Sequence, residues 1–275
     1  MPIRAKICGI TNLPDAEAAI AAGADALGFI LYAPSKRFIS IERAVEIVEA
    51  LPPFVQTVAV TVNATKEFSN LGWRKRLKNF AVAQLHGQES PAHARAVSKY
   101  MPVIKVFPAE ATIIASSNTF HIVEHLIETV DDLRRKQREL EKKLGHEPGV
   151  EELAREMDLP VDRLIPILEL ADHPQFENQQ RLKEYESSVS AFTLDTPSKD
   201  YGGTGQVFDW DLALHFKKRT AKPLILSGGL KPENVAKAIE TVHPYAVDVS
   251  TGVESSPGKK DHAKLRDFIQ ICKSF

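Results

Sequence analysis

Short apolar runs alternate with helical patterns through most of the chain. The runs are Ile3–Cys8, Ala26–Leu31, Val55–Val62, Ala81–His86, Val103–Phe107, Ala191–Asp195, Pro223–Ser227 and Ala246–Ser250. Helical patterns sit between them: an alanine-rich one from Pro14 to Gly23, then Ile41–Leu51, a basic amphipathic one near Lys66–Asn79, and Pro91–Tyr100. Phe208–Lys218, Pro232–Val242 and His262–Cys272 continue the series. The runs are apolar on both faces, as parallel strands covered by helices should be. Eight such units predict an α/β fold, a (β/α)8 TIM barrel. A doubly wound open sheet is the alternative. It calls for a glycine-rich turn after the first strand, and Cys8-Gly9-Ile10-Thr11 is not one.

The fifth unit breaks the rhythm. About 80 residues separate Phe107 from Ser190, where a connection and one helix need roughly 25. Ala109–Thr119 is rich in small residues and reads as a linker. His121–Leu144 carries a helical stripe of Ile122, Leu126, Val130, Leu133, Leu140 and Leu144, with Gly145 as its stop. Val150–Met157 is a second helix with Glu151 and Glu152 in its first turn, where the helix dipole favours acids. Pro160–Ala171 is a third, and Asp172-His173-Pro174 ends it. Pro166 within it removes a hydrogen bond, at about 3 kcal/mol or the cost of a kink. A further helix near Glu177–Tyr185 leads back to the next strand. The expected organisation is a first barrel part over 1–110, a small all-α insertion after strand 5 over 111–177, and a second barrel part over 178–275. A βα connection lies at the catalytic face of a barrel, so an inserted bundle there can gate the mouth, bind a partner or be inert.

Composition narrows the function. The chain has 275 residues, 43% hydrophobic and 26% charged, with a formal net charge of −1. Those proportions belong to a globular protein with a sizeable core. Near-zero charge argues against coating nucleic acid or anionic membrane. Cys8 and Cys272 give neither a disulfide framework nor a zinc cluster. No apolar run approaches the roughly 18 residues of a membrane span. The start Met1-Pro2-Ile3-Arg4 lacks a signal peptide's apolar stretch, so a cytoplasmic location is expected.

Candidate chemistry gathers at the strand ends. Cys8 ends the first strand and Asp195 the sixth, and strand C-termini line a barrel's active face. Taken alone, Cys8 is a small hydrophobe and Asp195 a turn cap. On one mouth the two titratable groups can serve as base and acid if their environments separate their pKa values. Lys6 lies two residues before Cys8 and shares its face, where it can act as an electrostatic helper. The last two turns, Ser227-Gly228-Gly229-Leu230 and Asp248-Val249-Ser250-Thr251-Gly252-Val253, point to a phosphorylated substrate, because small residues let backbone N–H groups approach a phosphate. Tyr201-Gly202-Gly203-Thr204-Gly205 reads as a hinged lid or a permissive turn. Arg37 is the candidate for an anionic substrate group, against a solvated basic loop. His86 and Asp248 also face the mouth, in substrate-binding or structural roles.

Together these residues resemble the phosphoribosylanthranilate isomerase family of tryptophan biosynthesis. The match runs through Lys6–Thr11, Gly28–Ser40, Gln84–Gly87, Asp195 with Asp200–Gly205, Phe208-Asp209-Trp210, Ser227–Leu230, Asn234 and Ala246–His262. The resemblance implies a cofactor-free Amadori rearrangement of N-(5-phosphoribosyl)anthranilate. It implies Asp195 as the acid that protonates the ring oxygen and Cys8, as thiolate, as the base that takes the C2′ proton. Arg37 would meet the anthranilate carboxylate, and the turns with Gly228, Gly229, Ser250, Thr251 and Gly252 would hold the phosphate. A thiol needs only modest lowering of its pKa to act at neutral pH, which phosphate-site dipoles or a basic neighbour can supply. The related aminoimidazole carboxamide ribotide isomerase of histidine synthesis carries an aspartate where this chain has Cys8.

The segment His121–Ala171 resembles something else, the helical region 3 of principal bacterial sigma factors. His125-Leu126-Ile127-Glu128-Thr129-Val130, Leu144–Pro148, Glu151–Ala154 and Leu159-Pro160 carry the likeness. In sigma factors the positions matching His125 and Glu128 face promoter DNA, which makes a DNA-binding, transcription-factor-like activity the alternative function. Charge opposes it. His121–Gln175 holds 8 Lys and Arg against 14 Asp and Glu, a formal −6, leaving +5 on the rest of the chain. DNA affinity rests on basic side chains displacing counterions. The segment is therefore expected to be structural or to bind a protein partner, and DNA is not expected as a ligand.

Overall fold

The computed structural model describes residues 2–109, 120–171, 182–196 and 207–275. Eight parallel strands close into a barrel in sequence order: β1 (Arg4–Cys8), β2 (Ala26–Ile30), β3 (Gln56–Thr61), β4 (Val82–Leu85), β5 (Val103–Pro108), β6 (Ala191–Asp195), β7 (Leu224–Leu226) and β8 (Ala246–Val249). The register between β1 and β8, with Lys6 opposite Asp248, closes the ring. The (β/α)8 barrel read from the alternating pattern is the fold.

Helices cover the outside. They are α1 (Leu13–Ala22), α2 (Ile41–Ala50), α3 (Thr65–Ser69), α4 (Leu71–Leu77) and α5 (Pro91–Ser98). In the second half they are α9 (residues 182–186), α10 (Asp211–Lys217), α11 (Pro232–Val242) and α12 (His262–Lys273). Local chemistry sets their ends. The Asn12, Ser40 and Ser90 side chains accept from the backbone N–H of Asp15, Arg43 and His93, and Gly23 takes the left-handed φ of 99° that closes α1. The amphipathic stretch near Lys66–Asn79 is two helices, not one. Asn70 ends α3 and caps α4 by accepting from Trp73 N at 3.0 Å, a cap that periodicity alone does not reveal.

Among the described residues, apolar side chains pack in clusters between the barrel strands. Cys8, Val58 and Val60 pack with Ala26, Ile30 and Val82, and Ile104, Ala191, Ile225 and Ala246 pack together. Apolar side chains therefore hold the strand ends at fixed positions around the mouth.

The described chain divides into two compact units, Met1–Ala111 with Lys183–Phe275, and Thr112–Leu182. The second unit contains α6 (Phe120–Leu144), α7 (Val150–Met157) and α8 (Val161–Ala171). Its core is Leu133, Leu153, Ala154 and Leu164, with Met157, Ile167 and Leu168 against it. Gly145 follows α6 at φ 75°, and its N–H donates to Glu141 O at 2.9 Å, the expected stop. The helix α8 runs through Pro166 without interruption. Much of the helix expected near Glu177–Tyr185, and the turn Tyr201–Gly205, lie outside the described residues. Among the described residues no helix is long and apolar enough to cross a membrane.

Candidate active site

Alternation along β1 turns Lys6 and Cys8 into the barrel, and both are buried. Lys6 Nζ donates to Asp248 Oδ2 at 2.6 Å, across the β1–β8 pair. Burial would lower the Lys6 pKa, but the Asp248 carboxylate, and then Cys8, raise it above the ordinary lysine value. The ammonium under the thiol is therefore held charged. Asp248 Oδ1 is buried with no partner among the described residues.

Cys8 corrects one expectation. Burial pushes its thiol above the ordinary value, and the Lys6 ammonium offsets this only in part. A basic neighbour exists, as predicted, but it does not outweigh the loss of water around a thiolate. Space for the sulfur comes from Gly28, opposite Cys8 in the β1–β2 register. A Cβ there would stand 2.8 Å from Cys8 Sγ and 3.2 Å from Lys6 Cε. Gly28→Ala is expected to displace the thiol and lower kcat by at least about tenfold, since a misplaced reacting group costs that much. Steady-state kinetics beside a thermal melt would read it, and an unchanged kcat would refute the packing argument.

On the far side of the mouth, Asp195 ends β6. Its Oδ2 lies 3.4 Å from His86 Nε2, and His86 Nδ1 is 3.4 Å from Gln84 Nε2. Its Oδ1 accepts from Thr196 N at 2.8 Å, so the turn-cap reading is also true, with the other oxygen left for the mouth. The turn after His86 is locked from behind. Glu89 accepts from Gly87 N and Asn63 N and pairs with buried Lys105 at 3.0 Å. The buried Tyr185 hydroxyl donates to the Glu89 carbonyl. Nothing in the apolar pattern marked Lys105 or Glu89 as partners.

The turns after β7 and β8 complete the rim. Gly228 sits at φ 88°, and a Cβ on it would come within 2.6 Å of Thr196 N, so only glycine fits against the β6 end. Asn234 fixes this turn by donating to Gly229 O at 3.0 Å and accepting from Lys231 N at 2.8 Å. Thr251 and Gly252 belong to a single 3-10 turn, Thr251–Val253. Ser250 Oγ is buried with no partner among the described residues.

Arg37 is buried, so the solvated-loop reading fails. Its fork is bound by Glu254, with Nε donating at 2.9 Å to Oε1 and Nη2 at 2.8 Å to Oε2. Glu254 opens β9 (Glu254–Ser256), which pairs with β10 (Lys259–Lys260) in a hairpin that the apolar pattern does not mark. Lys260 Nζ donates to Cys8 O at 2.6 Å, Ser250 O at 3.2 Å and Glu254 Oε1 at 3.1 Å. Asp15 accepts from Lys260 N and His262 Nε2, both at 2.8 Å. Pro257-Gly258, a turn dipeptide, is a local signal for this hairpin, and Gly258 sits at φ 77°.

The structure therefore gathers Cys8, Asp195, Arg37, His86, Asp248 and the two small-residue turns at the C-terminal end of one barrel. Comparison with known proteins identifies that barrel. The profile of the family described as N-(5'phosphoribosyl)anthranilate (PRA) isomerase matches residues 5–131 and 145–271. The chain belongs to the PRA isomerase family. A relative from Geobacter sulfurreducens, named N-(5'-phosphoribosyl)anthranilate isomerase, is 38% identical, covering 99% of this chain and 100% of the relative. A family member of the same name from Thermotoga maritima is 37% identical over 98% of each chain. A crystal structure of phosphoribosyl anthranilate isomerase from Thermotoga maritima aligns with a TM-score of 0.67 at 34% identity, over 99% of this chain and 100% of that one. A family structure in complex with reduced 1-(o-carboxyphenylamino)-1-deoxyribulose 5-phosphate aligns with a TM-score of 0.64 at 33% identity, over 99% of this chain and 100% of that one. The profile match breaks only between 131 and 145, inside the second compact unit and not at its edges.

Proposed function

We propose that this chain catalyses the PRA isomerase reaction with Cys8 as general base and Asp195 as general acid. The reaction is an aldose–ketose isomerisation of N-(5-phosphoribosyl)anthranilate to 1-(2-carboxyphenylamino)-1-deoxyribulose 5-phosphate. Asp195 protonates the furanose ring oxygen. The C1′–O bond breaks, and the nitrogen lone pair forms the C1′–N double bond of a protonated Schiff base. Cys8, as thiolate, removes the C2′ proton, and the C–H electron pair moves into C1′–C2′ to give an enol that tautomerises to the ketone. C1′ is reduced as C2′ is oxidised, so the balance closes without an external electron carrier.

The carrying observation is that Cys8 and Asp195 end β1 and β6 on the same mouth. Lys6, ion-paired beneath the thiol at 2.6 Å from Asp248, helps the thiolate form. His86 orients the Asp195 carboxyl. Arg37 takes the anthranilate carboxylate, and Asp248, with one oxygen on Lys6, offers its other oxygen, unpartnered among the described residues, to the substrate. Gly228, Gly229, Ser250, Thr251 and Gly252 take the phosphate, for which the Ser250 hydroxyl, without a partner among the described residues, is a ready donor. Substrate formed in situ from anthranilate and ribose 5-phosphate should lose its anthraniloyl fluorescence when enzyme is added. No loss at micromolar enzyme would overturn the assignment.

We read the unit Thr112–Leu182 as an insertion in the fifth βα connection, structural or partner-binding, in a cytoplasmic enzyme. Its own four-residue core supports this. Its likeness to sigma region 3 is read as a likeness of helices only, given the formal −6 charge over His121–Gln175. A fluorescence-anisotropy titration with promoter duplexes at physiological salt is expected to show no sequence-specific binding. Saturable specific binding would restore the DNA reading.

A further inference from the structure

We propose that Glu254 is a positioning residue that aims Arg37 at the substrate carboxylate, so that the hairpin carrying it sets preference for an acidic aryl amine over a neutral one. This rests on the reading of Arg37 given above and extends it to a residue 217 positions away.

A guanidinium is planar, so fixing one edge fixes the direction of the other. Glu254 takes the Nε–Nη2 edge of Arg37 through contacts of 2.8, 2.9 and 3.0 Å. Both side chains are buried. The remaining end of the fork, Nη1, has no partner among the described residues. The stem is confined as well. Gly9, next to Cys8, lies so close that a Cβ on it would stand 2.8 Å from Arg37 Cδ.

The same carboxylate reaches the base. Glu254 Oε1 accepts from Gly258 N at 3.2 Å and from Lys260 Nζ at 3.1 Å, and that Nζ holds the carbonyls of Cys8 and Ser250. Burial pulls the Lys260 pKa below the ordinary lysine value and the Glu254 carboxylate opposes this, while the three acceptors around Nζ match the three hydrogens of the ammonium form. Among the described residues Arg37 and Lys260 share the one carboxylate of Glu254, so the two cations, both charged, outnumber it by one. A buried cation lacking its counter-ion is costly, and a substrate carboxylate at Nη1 supplies the missing charge. Glu254 thus fixes at once where the arginine points and how far it stands from the strand end that carries Cys8.

The test compares two substrates formed in situ from ribose 5-phosphate, one with anthranilate and one with aniline. Wild type should prefer the anthranilate substrate strongly in kcat/KM. Glu254→Gln keeps the shape but removes the charge. It should reduce that preference by about tenfold, through KM for the anthranilate substrate with kcat within about threefold. Arg37→Ala should abolish the preference, and the double variant should be no worse than Arg37→Ala alone. If Arg37→Ala abolishes the preference and Glu254→Gln leaves it intact, the positioning inference falls and the reading of Arg37 stands. If Arg37→Ala leaves the preference intact, the reading of Arg37 itself falls. Equal loss with both substrates in Glu254→Gln would mark a merely structural role and also overturn the inference. Should that variant fail to fold, Glu254→Asp, which keeps the charge and withdraws it by one methylene, should give an intermediate preference. A wild-type preference there would count against the proposal.

Discussion

Replacing Cys8 by alanine is expected to lower kcat by about 10²–10⁴-fold, the usual contribution of a positioned acid or base. KM should change little, because the groups assigned to carboxylate and phosphate lie on other elements, at Arg37, Ser227–Leu230 and Ser250–Gly252. Fold should be preserved, since removing a small buried sulfur from the Val58–Val60 cluster costs little packing. A Cys8→Ala protein turning over at the wild-type rate would sink the assignment of the base. The pH profile gives an independent reading. Burial holds the thiol above its ordinary value of 9.0, so the thiolate fraction grows as pH rises toward and past that value. The rise in kcat/KM should therefore extend into the alkaline range in wild type and vanish in Cys8→Ala. Lys6→Met should move the rise to still higher pH, because the ammonium that favours the thiolate is gone. Cys272 does not confuse thiol titrations, for burial in α12 pushes it up to about 12.

Asp195→Asn should cost kcat about as much, roughly 10²–10⁴-fold, for a different reason. The amide keeps the size of the carboxyl and an oxygen to accept from Thr196 N, so the β6 turn should stay as it is. It has no proton to give to the ring oxygen, and ring opening should become limiting. Reduced 1-(o-carboxyphenylamino)-1-deoxyribulose 5-phosphate, already ring-opened, should therefore bind the variant within a fewfold of wild type. Calorimetric titration with that ligand beside steady-state kinetics checks both halves. Near-normal turnover would remove Asp195 from the role of acid, whereas lost binding would make it a substrate ligand.

Much of this was legible in the chain because barrel chemistry is tied to strand ends. Cys8 and Asp195 each close an apolar run, and in a closed parallel barrel every such end opens on one face. The same logic carried His86, Asp248 and the Gly228-Gly229 turn. What escaped was pairwise. Glu254 and Lys260 lie in a polar stretch with no periodicity, and their partners Arg37 and Cys8 are more than two hundred positions earlier. Lys105 sits within the run Val103–Phe107, and nothing local in the chain names Glu89, 3.0 Å away, as its partner.

The sequence by itself determined the barrel, because the alternation of two-faced apolar runs with helical stripes leaves few topologies once parallel connections must be right-handed. It also determined which side chains reach the mouth, since the period-two pleat decides that locally. Only the tertiary structure decided their electrostatic state. Desolvation depends on what covers a group in three dimensions, so the Cys8 thiol is pushed up beside the very lysine expected to lower it. It alone decided how Arg37 points as well, because that direction is set by a carboxylate brought back from the far end of the chain when β8 closes on β1.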